Sequence, residues 1–196
     1  MTAKESVVTS ERFEKGYTYE DYISQINVNK DRFEQYYETA KAAVTEEDAK
    51  AFTSMAAKNG GVSRILVLGE DWCPDVYRGM PMVARIAEAG GIELKIFPRD
   101  ANLDIMDEFL KNGEFQSIPT VVFYTEDYKY LCHWIERPAQ VTEEMGAINR
   151  QIDAEMEGQD EQAIRRARRE KINSKFPDWQ RESVKDIRNL LESKIG

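Results

Sequence analysis

Glu70-Asp71-Trp72-Cys73-Pro74-Asp75-Val76 joins two stretches of different character. Before it, Arg64-Ile65-Leu66-Val67-Leu68 is a short β-type run of the kind buried on both faces of a sheet. After it, Val76 to Ala89 reads as a helix, kinked by Pro81 and closed by Gly90-Gly91. Pro74 stands at the first helical position, where its missing N–H is not needed. Cys73 therefore falls at a helix N-terminus, where unpaired N–H groups and the helix dipole favour a thiolate. The thiolate is the nucleophilic form. Further on, Ser117-Ile118-Pro119-Thr120 places a proline at the entry to a strand, a position that admits a cis bond.

Around this centre the elements read β-α-β-α-β-β. Ile92–Phe97 alternates as a strand ending at Pro98, and Asp104–Lys111 is a short helix stopped by Asn112-Gly113. Pro119–Tyr124 and Tyr128–Ile135 are strands joined by a turn at Glu126-Asp127. The first two strands, linked by a helix, should be parallel, and the last two form a hairpin. A mixed sheet in an α/β domain follows.

The flanks are helical. Phe13, Tyr17, Tyr22, Ile23 and Ile26 form one apolar set, and Asn29 is an N-cap before Phe33, Tyr36, Tyr37 and Ala40. Thr45 and Asp48 resemble a capping box ahead of Phe52, Met55 and Ala56, with Asn59-Gly60-Gly61 as the stop. After the core, Pro138 opens a helix to about Glu157, Gly158 interrupts it, and another begins near Gln159. Phe176-Pro177-Asp178 is read as a break with Asp178 capping a last helix, whose apolar face is Trp179, Val184, Ile187, Leu190 and Leu191. The domain reading is a helical extension at 1–60, a core at 61–140 and a second helical extension at 141–196, packed as one compact unit.

Composition narrows the chemistry. The 196 residues are 41% hydrophobic and 32% charged, a globular balance. A net charge of −9 opposes binding to nucleic acid or anionic membranes. The basic run Arg165, Arg166, Arg168, Arg169 and Lys171 is flanked by acids and reads as a solvated helix face. No apolar run spans a bilayer and the N-terminus lacks a signal-peptide core, which reads as cytoplasmic. Two cysteines and one histidine supply no four-ligand metal site and make no disulfide scaffold, so no metal or cofactor is expected.

Trp72-Cys73-Pro74-Asp75-Val76 and Ile118-Pro119-Thr120, in this order inside this topology, resemble the thioredoxin superfamily over about 75 to 80 of the 196 residues. The first matches the position of its W-C-x-x-C motif and the second its cis-proline segment. More narrowly, the chain resembles uncharacterised bacterial thioredoxin-like proteins with a Trp-Cys-x-Asp motif and helical extensions. The resemblance implies a thioredoxin-like fold, with Cys73 as attacking thiol and Ile118–Pro119 as the edge that docks a substrate strand. Trp72, Pro74 and Asp75 would complete that docking site.

The departures change the chemistry. Val76 holds the resolving position, and Val67 stands where thioredoxins keep a buried acid. Asp71 and Asp75 flank the thiol and raise its pKa, whereas the helix end lowers it; the sequence leaves both directions open. The Trp72-Cys73-Pro74 turn is expected to expose the thiol, with Trp72 half-exposed beside it. Cys132 lies on a strand with Tyr130 and Trp134 on one face and His133 on the other. It reads as a packed thiol rather than a partner for Cys73, and His133 as a surface or strand histidine. The expected function is a thiol-disulfide oxidoreductase using one nucleophilic cysteine, with protein thiols or disulfides or a low-molecular-weight thiol as partners. The alternative is a non-catalytic binding module on the same fold, with its helices covering sheet edges or forming a homodimer interface.

Overall fold

The buried run is strand β1 (Arg64–Gly69), and it lies inside a four-stranded sheet. The structure is a computed structural model and describes residues 6–195. The other strands are β2 (Glu93–Pro98), β3 (Thr120–Tyr124) and β4 (Tyr130–Ile135), in the order β2-β1-β3-β4. β1 runs parallel to β2 and antiparallel to β3, and β3 pairs antiparallel with β4. The sheet is mixed, as the element order predicts. Ile65, Leu66, Val67 and Leu68 are wholly buried, because both faces of β1 are covered. Burial of each such side chain contributes about 1.5–3 kcal/mol.

Four helices precede the sheet: α1 (Ser10–Glu14), α2 (Tyr19–Gln25), α3 (Lys30–Ala43) and α4 (Glu46–Ala56). α5 (Pro74–Gly90) follows β1, and the short α6 (Leu103–Met106) follows β2. α7 (Ala139–Glu155) and α8 (Glu161–Ile195) close the chain. α5 packs on β1 and β2, α3 and α4 lie against α5, and α8 touches α3, α4, α5 and β4. The indole N–H of Trp134 donates to Asp186 on α8 at 2.8 Å. A smaller apolar cluster of Tyr36, Val141, Ile172, Phe176 and Trp179 joins α3, α7 and α8. Among the described residues no helix is long and apolar enough to cross a membrane.

The capping box at Thr45 and Asp48 is present, and Gly91, at φ 63°, ends α5 in the left-handed conformation that glycine accepts without strain. Several boundaries differ from the sequence reading. The first apolar set is two helices, because Thr18 caps α2 through its side chain and Tyr17 is extended. Tyr17 instead pairs its main chain with Ile96 of β2, through bonds of 2.9 and 2.8 Å. Asn29 holds the N-cap position of α3, as expected, but at φ 58° its side chain makes no capping bond and donates instead to the Asp71 carbonyl. The helix expected at Asp104–Lys111 stops at Met106, since Phe109 turns inward and Lys111 pairs with Phe115 across a tight loop.

Pro177 does not break the chain, and Asp178 is not a cap. α8 runs through both for 35 residues. Proline removes one helical hydrogen bond, but Pro177 is exposed, whereas Phe176 and Trp179 beside it are buried. Packing on either side of the proline keeps the helix continuous.

Candidate functional site

Cys73 is the N-cap residue of α5, with extended backbone angles and its carbonyl accepting the N–H groups of Val76 and Tyr77. Proline at the next position begins the helix, which fixes the thiol between strand end and helix start. The Sγ donates to the carbonyl oxygen of Ile118 at 3.9 Å. The Ile118–Pro119 peptide bond is cis. Gly79, one face of α5, lies so near that a Cβ there would meet Pro119 Cγ at 3.2 Å. Cys73, Pro74, Ile118 and Pro119 thus come together from two distant stretches.

The thiol is not exposed as the turn suggests: Cys73 is 9% accessible. Trp72 is the outward residue, 52% accessible, with the Arg99 guanidinium 5.7 Å from its ring centroid. Burial pushes the Cys73 thiol above its ordinary value. The Val76 and Asp75 N–H groups pull it back, the Asp75 carboxylate pushes it up, and Arg137 pulls it down. Desolvation wins over the helix end, and the resting group at neutral pH is the thiol.

The two flanking aspartates have different roles. Asp71 faces the N-terminal loop, where it accepts the N–H groups of Asn27 at 3.0 Å and Val28 at 3.2 Å. Asp75 forms an ion pair with Arg137, whose other arm approaches Glu136 at 3.7 Å. Glu136 is also bound by Lys111. Its carboxyl is raised by burial, but the Lys111 bond and the Arg137 and Lys111 charges bring it below the usual range. Sequence reasoning missed Arg137. The signal was available in the fold, which brings the end of β4 toward the motif.

Val76 and Val67 are wholly buried, so the two positions at which the resemblance implies a resolving thiol and a buried acid in thioredoxins are apolar here. Both cysteines are free. Cys132 pairs with Phe123, three residues along β3 from the Thr120–Ile135 pair beside Pro119, a distance of about 10 Å. Burial pushes its thiol up to about 11. It is a packed strand cysteine. Tyr130 departs from the sequence reading: a register shift between Phe123 and Tyr124 turns it away from Cys132 and Trp134. Its hydroxyl bonds His133 Nδ1 at 2.7 Å. In the basic run, Arg165 pairs with Glu161 and Arg168 with Asp153. Among the described residues no group of three or more His, Cys, Asp or Glu is placed to hold a metal ion.

A family model described as thioredoxin matches residues 16–171. The chain belongs to the thioredoxin family. The match takes in the helices α2 to α4 before the sheet and α7 after it, so the thioredoxin model extends well beyond the motif. Two solved structures share the fold. One is a protein of unknown function from Pseudomonas aeruginosa, 17% identical, with a TM-score of 0.65, covering 92% of this chain and 95% of that one. The other is an HIV epitope-scaffold, 16% identical, also at a TM-score of 0.65, covering 96% and 99%. No curated protein matches the thioredoxin-family chain.

Proposed function

We propose that this thioredoxin-family protein is a thiol-disulfide oxidoreductase that works through Cys73 alone. The observation that carries the reading is the Cys73 Sγ lying 3.9 Å from the Ile118 carbonyl at the cis-Pro119 edge. An extended substrate strand pairing with that edge would have its disulfide next to the sulfur. Trp72 offers an exposed aromatic surface beside it, and in this reading Pro74 and Asp75 would complete the docking site.

In the first step Cys73 loses its proton and attacks one substrate sulfur. A mixed disulfide forms, the substrate S–S bond breaks, and the departing sulfur takes up a proton. A low-molecular-weight thiol then attacks the substrate sulfur of the mixed disulfide and releases Cys73 as a thiol. The added thiol replaces Cys73 on that sulfur, so no second protein cysteine is required. Because the resting group is protonated, the first step speeds up as pH rises.

The test is turnover of a small disulfide in excess thiol, with the mixed disulfide trapped and identified by mass. Cys73→Ser is expected to abolish both, and Cys132→Ser to leave both unchanged. Turnover that survives Cys73→Ser sinks the reading. A second reading, a non-catalytic binding module, is favoured by the upward shift of the thiol and by valine at positions 67 and 76. It expects a partner that binds the wild type and Cys73→Ser equally.

A further inference from the structure

A cleft of about 460 Å³ lies far from Cys73, at the other end of the sheet. One of its lining residues, Tyr124, pairs with Arg64 at the start of β1, whereas Cys73 follows the end of that strand. Its lining includes Asp107, Glu108, Phe109, Tyr124, Tyr130 and His133. The volume is in the range of sites for small organic ligands.

Tyr124 is 1% accessible, and its buried hydroxyl has no hydrogen-bond partner among the described residues. Buried tyrosine hydroxyls ordinarily have one. An aromatic wall stands by it. Phe109 and Tyr130 stack with centroids 6.0 Å apart, and the His133 ring lies 5.6 Å from Phe109. With His133 Nδ1 engaged by Tyr130, only its Nε2 is left to meet a ligand. Burial holds the imidazole below its usual range, so at neutral pH it adds no charge.

The charged lining is acidic. Glu108 accepts the Val7 N–H at 2.6 Å and the Ser6 hydroxyl at 2.7 Å, and Asp107 accepts from Gln116 at 3.3 Å. Among the described residues, no lysine or arginine lines the cleft. An anionic ligand would meet uncompensated negative charge. A flat ring has stacking partners, and a group rich in N–H donors has two acceptors, the Tyr124 oxygen and the Glu108 carboxylate.

We propose that this cleft binds a small planar aromatic compound that carries N–H donors and no negative charge, its ring against Phe109 and Tyr130 and its donors shared by Tyr124 and Glu108. The site is separate from Cys73 and does not depend on redox activity.

The experiment is an amide NMR titration of the full chain with benzamidine, benzamide and benzoate. Benzamidine and benzamide are expected to shift the Phe109, Tyr130 and His133 resonances, and benzoate to leave them in place. Tyr124→Phe removes only the unpartnered hydroxyl, so the free protein keeps its spectrum while benzamidine affinity falls about tenfold. Tyr130→Ala changes an exposed ring and is expected to weaken both binding probes. Equal binding of benzoate, unchanged affinity in Tyr124→Phe, or no shift with any probe at millimolar concentration each overturns the proposal.

Discussion

Arg137, just beyond β4, forms an ion pair with Asp75, which lies in the first turn of the helix that Cys73 caps. The two charges act on the thiol with opposite sign, Asp75 raising its pKa and Arg137 lowering it. Asp75→Asn removes the opposing charge and is expected to speed alkylation of Cys73 at pH 7. Arg137→Ala removes the helping charge, frees the carboxylate, and is expected to slow it. Half a pKa unit changes the thiolate fraction about threefold. Rates that move together in the two variants would show that the pair does not tune the sulfur.

Burial sets the sign of the pH profile. With the thiol raised above its ordinary value, alkylation of Cys73 by iodoacetamide should climb about tenfold per pH unit through neutrality and beyond the usual thiol midpoint. The background is read in Cys73→Ser. A plateau reached below pH 8 would mean that the helix end, not desolvation, governs the group.

Val76 stands in the first turn of α5, three residues after Cys73, within the reach that helical spacing allows a disulfide. Val76→Cys is expected to form an intramolecular disulfide with Cys73 under mild oxidation. Tryptic mapping before and after reduction detects it. Two thiols that stay reduced would show that the motif has lost the geometry of its dithiol relatives.

Asp48 is wholly buried and holds three partners: Thr45 in the capping box, Arg181 and Arg188. Burial pushes its carboxyl up, but the Thr45 bonds and Arg181 outweigh this and leave it below the unfolded value. A carboxyl lowered in the folded state stabilises above its unfolded pKa and loses that contribution as pH falls through the folded one. Asp48→Asn should therefore cost about 3 kcal/mol at pH 7 and flatten the loss of stability below about pH 4. Urea denaturation at both pH values measures it. An unchanged acid slope would move the titration elsewhere.

Pro177 is exposed in the interior of α8, where alanine is favoured over proline by about 3 kcal/mol. Proline also stiffens the unfolded chain, which offsets part of this. Pro177→Ala is expected to stabilise by about 2 kcal/mol, seen as a higher Tm in calorimetry. A lower Tm would mean that α8 needs the proline where it stands.

The sheet was legible because its signals are local. Strand runs, Pro74 and the Gly90-Gly91 stop each declare themselves within a few residues. Ile118 and Pro119 could be assigned to the site only through the family resemblance, since their approach to Cys73 depends on how β3 sits beside β1. Features that depend on tertiary packing were not legible. The burial of Cys73 is set by Ile118 and α5, the ion pair by the end of β4, and the passage of α8 through Pro177 by Phe176 and Trp179. Tyr130 escaped because a single register shift reverses the face that alternation assigns.

The Tyr17–Ile96 main-chain pair has a consequence for how the molecule meets copies of itself. β2 is the outer strand on that side of the sheet, and an outer strand with free N–H and C=O groups is a template on which another chain can add. Tyr17 occupies both groups of Ile96, and the segment between α1 and α2 lies across the middle of the strand. The N-terminal arm thus acts as a guard against strand-by-strand polymerisation, and a chain begun after Tyr17 would carry an open edge into any concentrated solution.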